Sequence, residues 1–149
     1  MTSYLIDINV WLAMTWDLHP QHAPAARWSR SRSTATFLFC RFTMLGLIRL
    51  LTNSKVMGGS TTSVGEALNI YDQWIADPRV GFASEPSGLD LPLRQALEPF
   101  LRMPSTKAVA DCYLVALAGA TGAHLATFDR GIASTARLQR VPVTLLNPS

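Results

Sequence analysis

The sequence has 149 residues with a formal charge of +3, from 13 Lys and Arg against 10 Asp and Glu, and 48% of it is hydrophobic. A chain of that length and apolar content fits one domain, residues 1–149, with a core that needs no staples, and it is too apolar for a disordered segment. The charge is too small to demand a nucleic-acid partner, and no apolar run is long enough to span a membrane; the best, FTMLGLIRLL, contains Arg49.

SYLI predicts a short first strand that ends at Asp7, with Asn9 as the N-cap of an apolar helical stretch, VWLAMTW. The opening MTSYLIDINVW has neither a basic n-region nor a long h-region, so no signal peptide is expected. His19 and His22 have ligand-like spacing, but the prolines around them read better as a solvated start to a second, basic helix over 23–31. ATFLFC is a strand of the buried type, and RFTMLGLIRLLTN has helical periodicity, with Thr43 as its candidate cap and Met44 in its first turn. SKVMGGSTT reads as a loop. Ser63 and Glu66 then form a capping-box pattern for a helix that Pro78 stops. VGFAS is a third strand, and SGLDLPLRQALEPFLRM a helical region broken by prolines. A helix over 108–120, the strand HLATF, the turn Asp129-Arg130-Gly131, a final strand VPVTLL and a tail at 147–149 complete the chain. Five short strands alternating with helices predict an α/β domain with a mostly parallel central sheet and helices on both faces. Cys40 and Cys112, far apart and in apolar surroundings, read as reduced core thiols and suit a reducing cytoplasm.

The chemistry concentrates between Lys107 and Gly131. From Ala108 to Ala120 almost every residue is apolar, and the exception is Asp111. A helix apolar nearly all round is buried, and an ionised carboxylate on it needs a cation or several donors. A place in the helix's first turns would also favour an acid through the macrodipole alone. Asp129 follows a strand in a turn sequence, either at the sheet edge where functional groups of parallel sheets collect or simply as a turn or capping residue. Asp7 stands on the same edge, with a capping role as its alternative. If the strands of Asp7 and Asp129 are neighbours, Asp111 can point into the crevice between them. Three acids so placed repel one another, and a divalent ion relieves the conflict; all-oxygen donors suit Mg²⁺ or Mn²⁺. Such an ion lowers the pKa of bound water and supports displacement at a phosphodiester. Eleven of the 13 basic residues are Arg, the better partner for phosphate, although solvated surface charge in an Arg-preferring composition accounts for the same count.

Gly-rich phosphate loops and a serine nucleophile elbow are absent. A phospho-acceptor receiver would need paired acids after the first strand and a late Lys, and a DxDx phosphatase would need an Asp where Asn9 stands. YLIDINVWLA, FCRFTMLGLIRLLTN, ADCYLVALA and HLATFDRGI, in this order over essentially the whole chain, are similar to PIN-domain ribonucleases of the VapC type, the toxin half of bacterial toxin–antitoxin pairs. The resemblance implies a single PIN-like α/β/α domain, Mg²⁺- or Mn²⁺-dependent RNA cleavage, dimerisation, and inhibition by a VapB-like antitoxin in a hetero-oligomer.

The same resemblance assigns Asp7, Asp111 and Asp129 as catalytic acids and metal ligands, with Asn9 and Thr127 in support. It also implies a helix opening T-E-x-G, in which the Glu is a further acid; here the text is Thr43-Met44-Leu45-Gly46, so Met44 stands in the Glu position. A thioether is a poor partner for a hard cation, and weakened metal binding with low or absent cleavage is the expectation. Arg49 and Arg130 are candidates for contacts to RNA phosphate. The alternative is a non-cleaving protein of the same fold that binds antitoxin, RNA or both, with Trp11, Trp16 and the helix over 42–51 as apolar anchors for a partner's helix.

Overall fold

The computed structural model describes residues 1–146, so the tail expected at 147–149 lies outside the described residues. The chain runs β1 (Ser3–Ile6), α1 (Ile8–Thr15), α2 (His22–Arg30), β2 (Thr36–Phe39), α3 (Arg41–Leu51), α4 (Ser54–Met57), α5 (Val64–Ala76), β3 (Val80–Phe82), α6 (Asp90–Leu97), α7 (Thr106–Thr121), β4 (His124–Thr127), α8 (Arg130–Leu138) and β5 (Val143–Leu145). Short 3-10 turns occupy Gly58–Ser60 and Glu98–Phe100. All five strands are parallel, in the order β3-β2-β1-β4-β5.

Successive strand residues face opposite ways, and the sheet uses both faces. Tyr4, Ile6, Phe37 and Phe39 enter one core with Val10, Trp11 and Leu47, under α1, α3 and α5. Leu5 and Leu125 enter the other with Leu114, Leu117, Ile132 and Ala136 of α7 and α8. Helices therefore cover both sides, as the alternation of strands and helices predicts. No helix among the described residues is long and apolar enough to cross a membrane. Cys40 and Cys112 are both buried free thiols.

Three local expectations need correction. Asn9 is not a cap: the backbone of Asp7 is extended, its Oδ1 accepts the Ile8 N–H at 2.7 Å, and α1 begins at once, leaving Asn9 exposed in the first turn. Thr43 is not the cap of α3 but its third residue; Cys40 holds the N-cap position, and the Thr43 hydroxyl reaches back to accept the Cys40 N–H at 2.9 Å. The expected loop over 54–62 contains the short helix α4, started by Asn53 Oδ1 accepting the Lys55 N–H at 2.9 Å. The Ser63–Glu66 capping box is present with both of its bonds, at 3.1 and 3.2 Å. α7 ends on Gly122, whose φ of +72° suits the left-handed C-cap that glycine adopts without penalty.

The packing of α1 on the sheet rests on Trp11, which is fully buried and stacked on Phe39 with ring centroids 3.7 Å apart. Phe39→Ala should lower unfolding free energy by about 3–5 kcal/mol, the usual cost of emptying a buried aromatic site. Denaturant unfolding with an unchanged m-value would establish it.

Candidate active site

β1 pairs with β2 on one side and with β4 on the other. The chain lays its strands outward from β1 to β3 and then crosses back to start β4, so the strand order reverses between β1 and β4. In open parallel sheets the crevice beyond the strand ends at such a reversal is the usual ligand site. The register sets Ile6 beside Ala126, and the Asp7 N–H donates to the Ala126 carbonyl at 3.0 Å. A crevice of about 390 Å³ opens at this point, and Asp7, Asp111 and Asp129 all line it. The three acids of the sequence reading thus share one cavity.

They are held by different elements. Asp7 sits between β1 and α1, only 6% exposed. Its Oδ2 accepts the hydroxyl of fully buried Thr127 at 2.8 Å, and that hydroxyl in turn accepts the Asp129 N–H at 2.9 Å. Thr127 therefore ties the ends of β1 and β4 together. Asp129 caps α8, with Oδ1 accepting the N–H groups of Gly131 and Ile132 at 2.7 and 3.1 Å. Its other oxygen, Oδ2, lies 2.8 Å from Lys107 Nζ, and Asp111 Oδ2 lies 2.6 Å from the same nitrogen. One ammonium bridges two carboxylates from different elements. Neither the capping nor the crevice reading of Asp129 displaces the other; each of its oxygens serves one.

Burial pushes the Asp7 carboxyl up; hydrogen bonds from Thr127 and Ile8 pull against it, and the charges of Asp111 and Asp129 add to the rise. Burial also raises Asp111, which Lys107 offsets only in part. Asp129 goes the other way: burial raises it, but Lys107 and the α8 N–H groups outweigh that and hold it low. One crevice thus contains carboxyls driven in opposite directions, a pattern associated with functional sites.

Of the remaining candidates, Asn9 and Arg49 line the crevice, whereas Arg130 is exposed and lies outside it. Met44 does not line the crevice. Its side chain packs against the core under α1, with its sulfur 2.8 Å from Arg41 Nη1, and the α3 residues that line the crevice are Phe42, Gly46, Arg49 and Leu50. Helical spacing from 42 to 46, 49 and 50 would have selected this face and left 44 off it. Gly46 is needed there, because an added Cβ would collide with Ile8 Cδ1 and lie 2.7 Å from Ile8 Cγ1. Trp11 is core rather than a partner anchor, and Trp16 is half-buried against that core. His22 Nδ1 is 2.7 Å from the Ala13 carbonyl and holds α2 to α1, while His19 Nδ1 accepts the Gln21 N–H. Lys107 is the residue sequence reasoning missed, although its i,i+4 spacing to Asp111 is a readable pairing signal.

The family model described as the PIN domain matches residues 4–138. Ribonuclease VapC39 of Mycobacterium tuberculosis is 32% identical over 139 residues, 93% of this chain and 97% of that protein. Ribonuclease VapC41 of the same species is 35% identical over 130 residues, 84% and 88% of the two chains.

The chain belongs to the PIN-domain family, in its VapC branch.

Solved structures agree on the fold. VapC20 of M. tuberculosis, described as a sarcin–ricin-loop-cleaving toxin, superposes with a TM-score of 0.62 at 17% identity, over 88% of this chain and 93% of that one. VapBC-1 of nontypeable Haemophilus influenzae gives 0.63 at 14% identity, over 96% and 97%.

In this PIN domain the crevice acids suit a hard divalent cation in kind, being carboxylate oxygens. Asp111 and Asp129 already surround a cation, since the Lys107 ammonium stands between them. Among the described residues, however, no three His, Cys, Asp or Glu side chains converge closely enough to enclose an ion as they stand. Asp7 has its two oxygens engaged by Ile8 and Thr127.

A raised folded-state pKa means that ionised Asp7 costs stability above that pKa, and the cost fades as pH falls through it toward the unfolded value of 3.8. Asp7→Asn carries no such proton. In metal-free buffer the melting temperature of the variant minus that of the wild type should be largest near neutral pH. It should shrink on acidification toward pH 4. Calorimetry across that range would show it, and a pH-independent difference would contradict a raised Asp7.

Proposed function

We propose that this chain is a divalent-metal-dependent endoribonuclease toxin, with Asp7, Asp111 and Asp129 as its acids. The observation that carries the reading is that three carboxylates from distant parts of the chain line one crevice at the strand-order reversal. Asp111 and Asp129 would hold Mg²⁺ or Mn²⁺, with Asp7 the third acid, and a bound ion would supply polarisation of a phosphate and activation of water. Thr127 fixes Asp7 and the Asp129 backbone relative to each other. Arg49, which lines the α3 wall of the crevice, would meet a phosphate of RNA, while exposed Arg130 would serve only an extended contact outside the crevice.

The PIN-domain match and the ribonuclease relatives support nuclease chemistry. A VapB-like antitoxin as partner is supported by structural likeness to chains solved as VapBC complexes from Rickettsia felis and H. influenzae. Homodimerisation and a toxin–antitoxin hetero-oligomer are part of the same proposal, and a reducing cytoplasm suits the two free thiols.

Low metal affinity and slow cleavage remain part of the proposal, but their cause is the whole crevice face of α3 rather than Met44. That face offers Phe42, Gly46, Arg49 and Leu50 and no carboxylate. Met44→Glu is therefore expected to leave cleavage unchanged, whereas Gly46→Glu in an Ile8→Ala background, which makes room for it, should raise activity with Mn²⁺. Asp111→Asn and Asp129→Asn should each lower RNA cleavage on the order of 100-fold. The measurement is cleavage of end-labelled structured RNA against Mn²⁺ concentration. Absence of metal-stimulated cleavage in every version would favour the alternative, a non-cleaving PIN-fold binder of antitoxin or RNA.

A further inference from the structure

We propose that Lys107 is a resident counter-cation of the crevice, which a divalent ion must displace before it can bind, so that Lys107 sets how much metal the site requires. The inference rests on the metal-site reading above.

The competition is for the same atoms. Asp129 Oδ1 is committed to the N–H groups of Gly131 and Ile132, so the oxygen left for a cation is Oδ2, and Lys107 Nζ lies 2.8 Å from it. Asp111 faces the ammonium through its own Oδ2 at 2.6 Å. A metal between these carboxylates would need the space the ammonium fills. The bridge is more than a helix-surface pair: Lys107 and Asp111 are i,i+4 on α7, but Asp129 comes from the β4–α8 turn.

The occupant is also removable. The Lys107 side chain is 61% exposed, and a lysine is a flexible stem with a strongly hydrated head. Ion pairs with that much exposure are individually modest. A Cβ built on Gly131 would come within 3.7 Å of Nζ, which places the ammonium beside the N-terminus of α8, the pole of a helix that disfavours a cation. Two carboxylates hold it in, and the helix end and water draw it out.

Charge balance points the same way. The ionised pair Asp111 and Asp129 with Lys107 sums to −1, against −2 with the lysine withdrawn, so the pair attracts a divalent ion more strongly once the ammonium leaves. The acids are meanwhile compensated without metal, which lets the protein fold and persist when metal is scarce.

The chain, stripped with chelator, would be titrated with Mn²⁺ and free Mn²⁺ followed by electron paramagnetic resonance. Lys107→Met is expected to bind about tenfold more tightly than wild type, ~1.4 kcal/mol. Lys107→Arg should stay near wild type because it keeps a cation at the pair, and Lys107→Gln is the second neutral variant if Lys107→Met does not fold. The chain contains only two lysines, Lys55 and Lys107. In wild type labelled at lysine ¹³Cε, Mg²⁺ should therefore shift one side-chain resonance and leave that of Lys55 in place. Equal or weaker Mn²⁺ binding by both neutral variants, or an unmoved Lys107 resonance at saturating Mg²⁺, overturns the displacement while leaving the metal site intact. No Mn²⁺ binding by the wild type or any variant overturns the metal site itself, and the displacement with it.

Discussion

The parallel pairing of β1 with β4 is the constraint on which the rest of the crevice depends. These strands are more than a hundred residues apart in sequence, yet Ile6 lies beside Ala126 and the Asp7 N–H bonds to the Ala126 carbonyl. The pairing closes the sheet between its two halves and creates the strand-order reversal. It also brings Thr127 across from Asp7, where a single buried hydroxyl can serve both Asp7 and the Asp129 backbone. Once that register is set, α7 packs across β4 and brings Asp111 and Lys107 to the rim of the crevice.

Electrostatics then gives each acid a different state within one cavity. Asp7 is the most deeply buried and among the described residues has no cation in contact, so burial dominates and favours its neutral form. Asp129 is held ionised, burial notwithstanding, by Lys107 and by the N–H groups at the start of α8. Asp111 lies between these cases, buried enough to rise and close enough to Lys107 to be checked. The ammonium supplies the compensation that the donor set would otherwise have to find in a bound ion.

Much of this was legible in the chain. Short apolar strands alternating with helices were enough for a parallel α/β sheet, because few arrangements bury such strands on both faces. The acids could be placed at one edge because each lies at a strand end or in a helix's opening turns. What could not be read was side-chain direction and local capping. Asp7 rather than Asn9 starts α1, since only one residue separates strand from helix. Met44 belongs to the packed side of α3 and Gly46 to the crevice side, a rotation that depends on how α3 sits against Ile8. α8 has no clear signal in the sequence, because its polar residues and glycine mask the buried pattern of Ile132, Ala133 and Ala136. The bridge from Lys107 to Asp129 is a tertiary contact, beyond any local pattern, although the half of it that reaches Asp111 was within reach of helical spacing.

The most direct test of the central claim is an anomalous-difference map from crystals of the wild-type protein grown with Mn²⁺. The expected result is a peak between Asp111 and Asp129, in the crevice that Asp7 lines, with the Lys107 side chain swung out of the pair. A map with no peak in that crevice at saturating Mn²⁺, or with the only strong peak elsewhere on the molecule, would contradict the assignment of these three acids to one metal-dependent site.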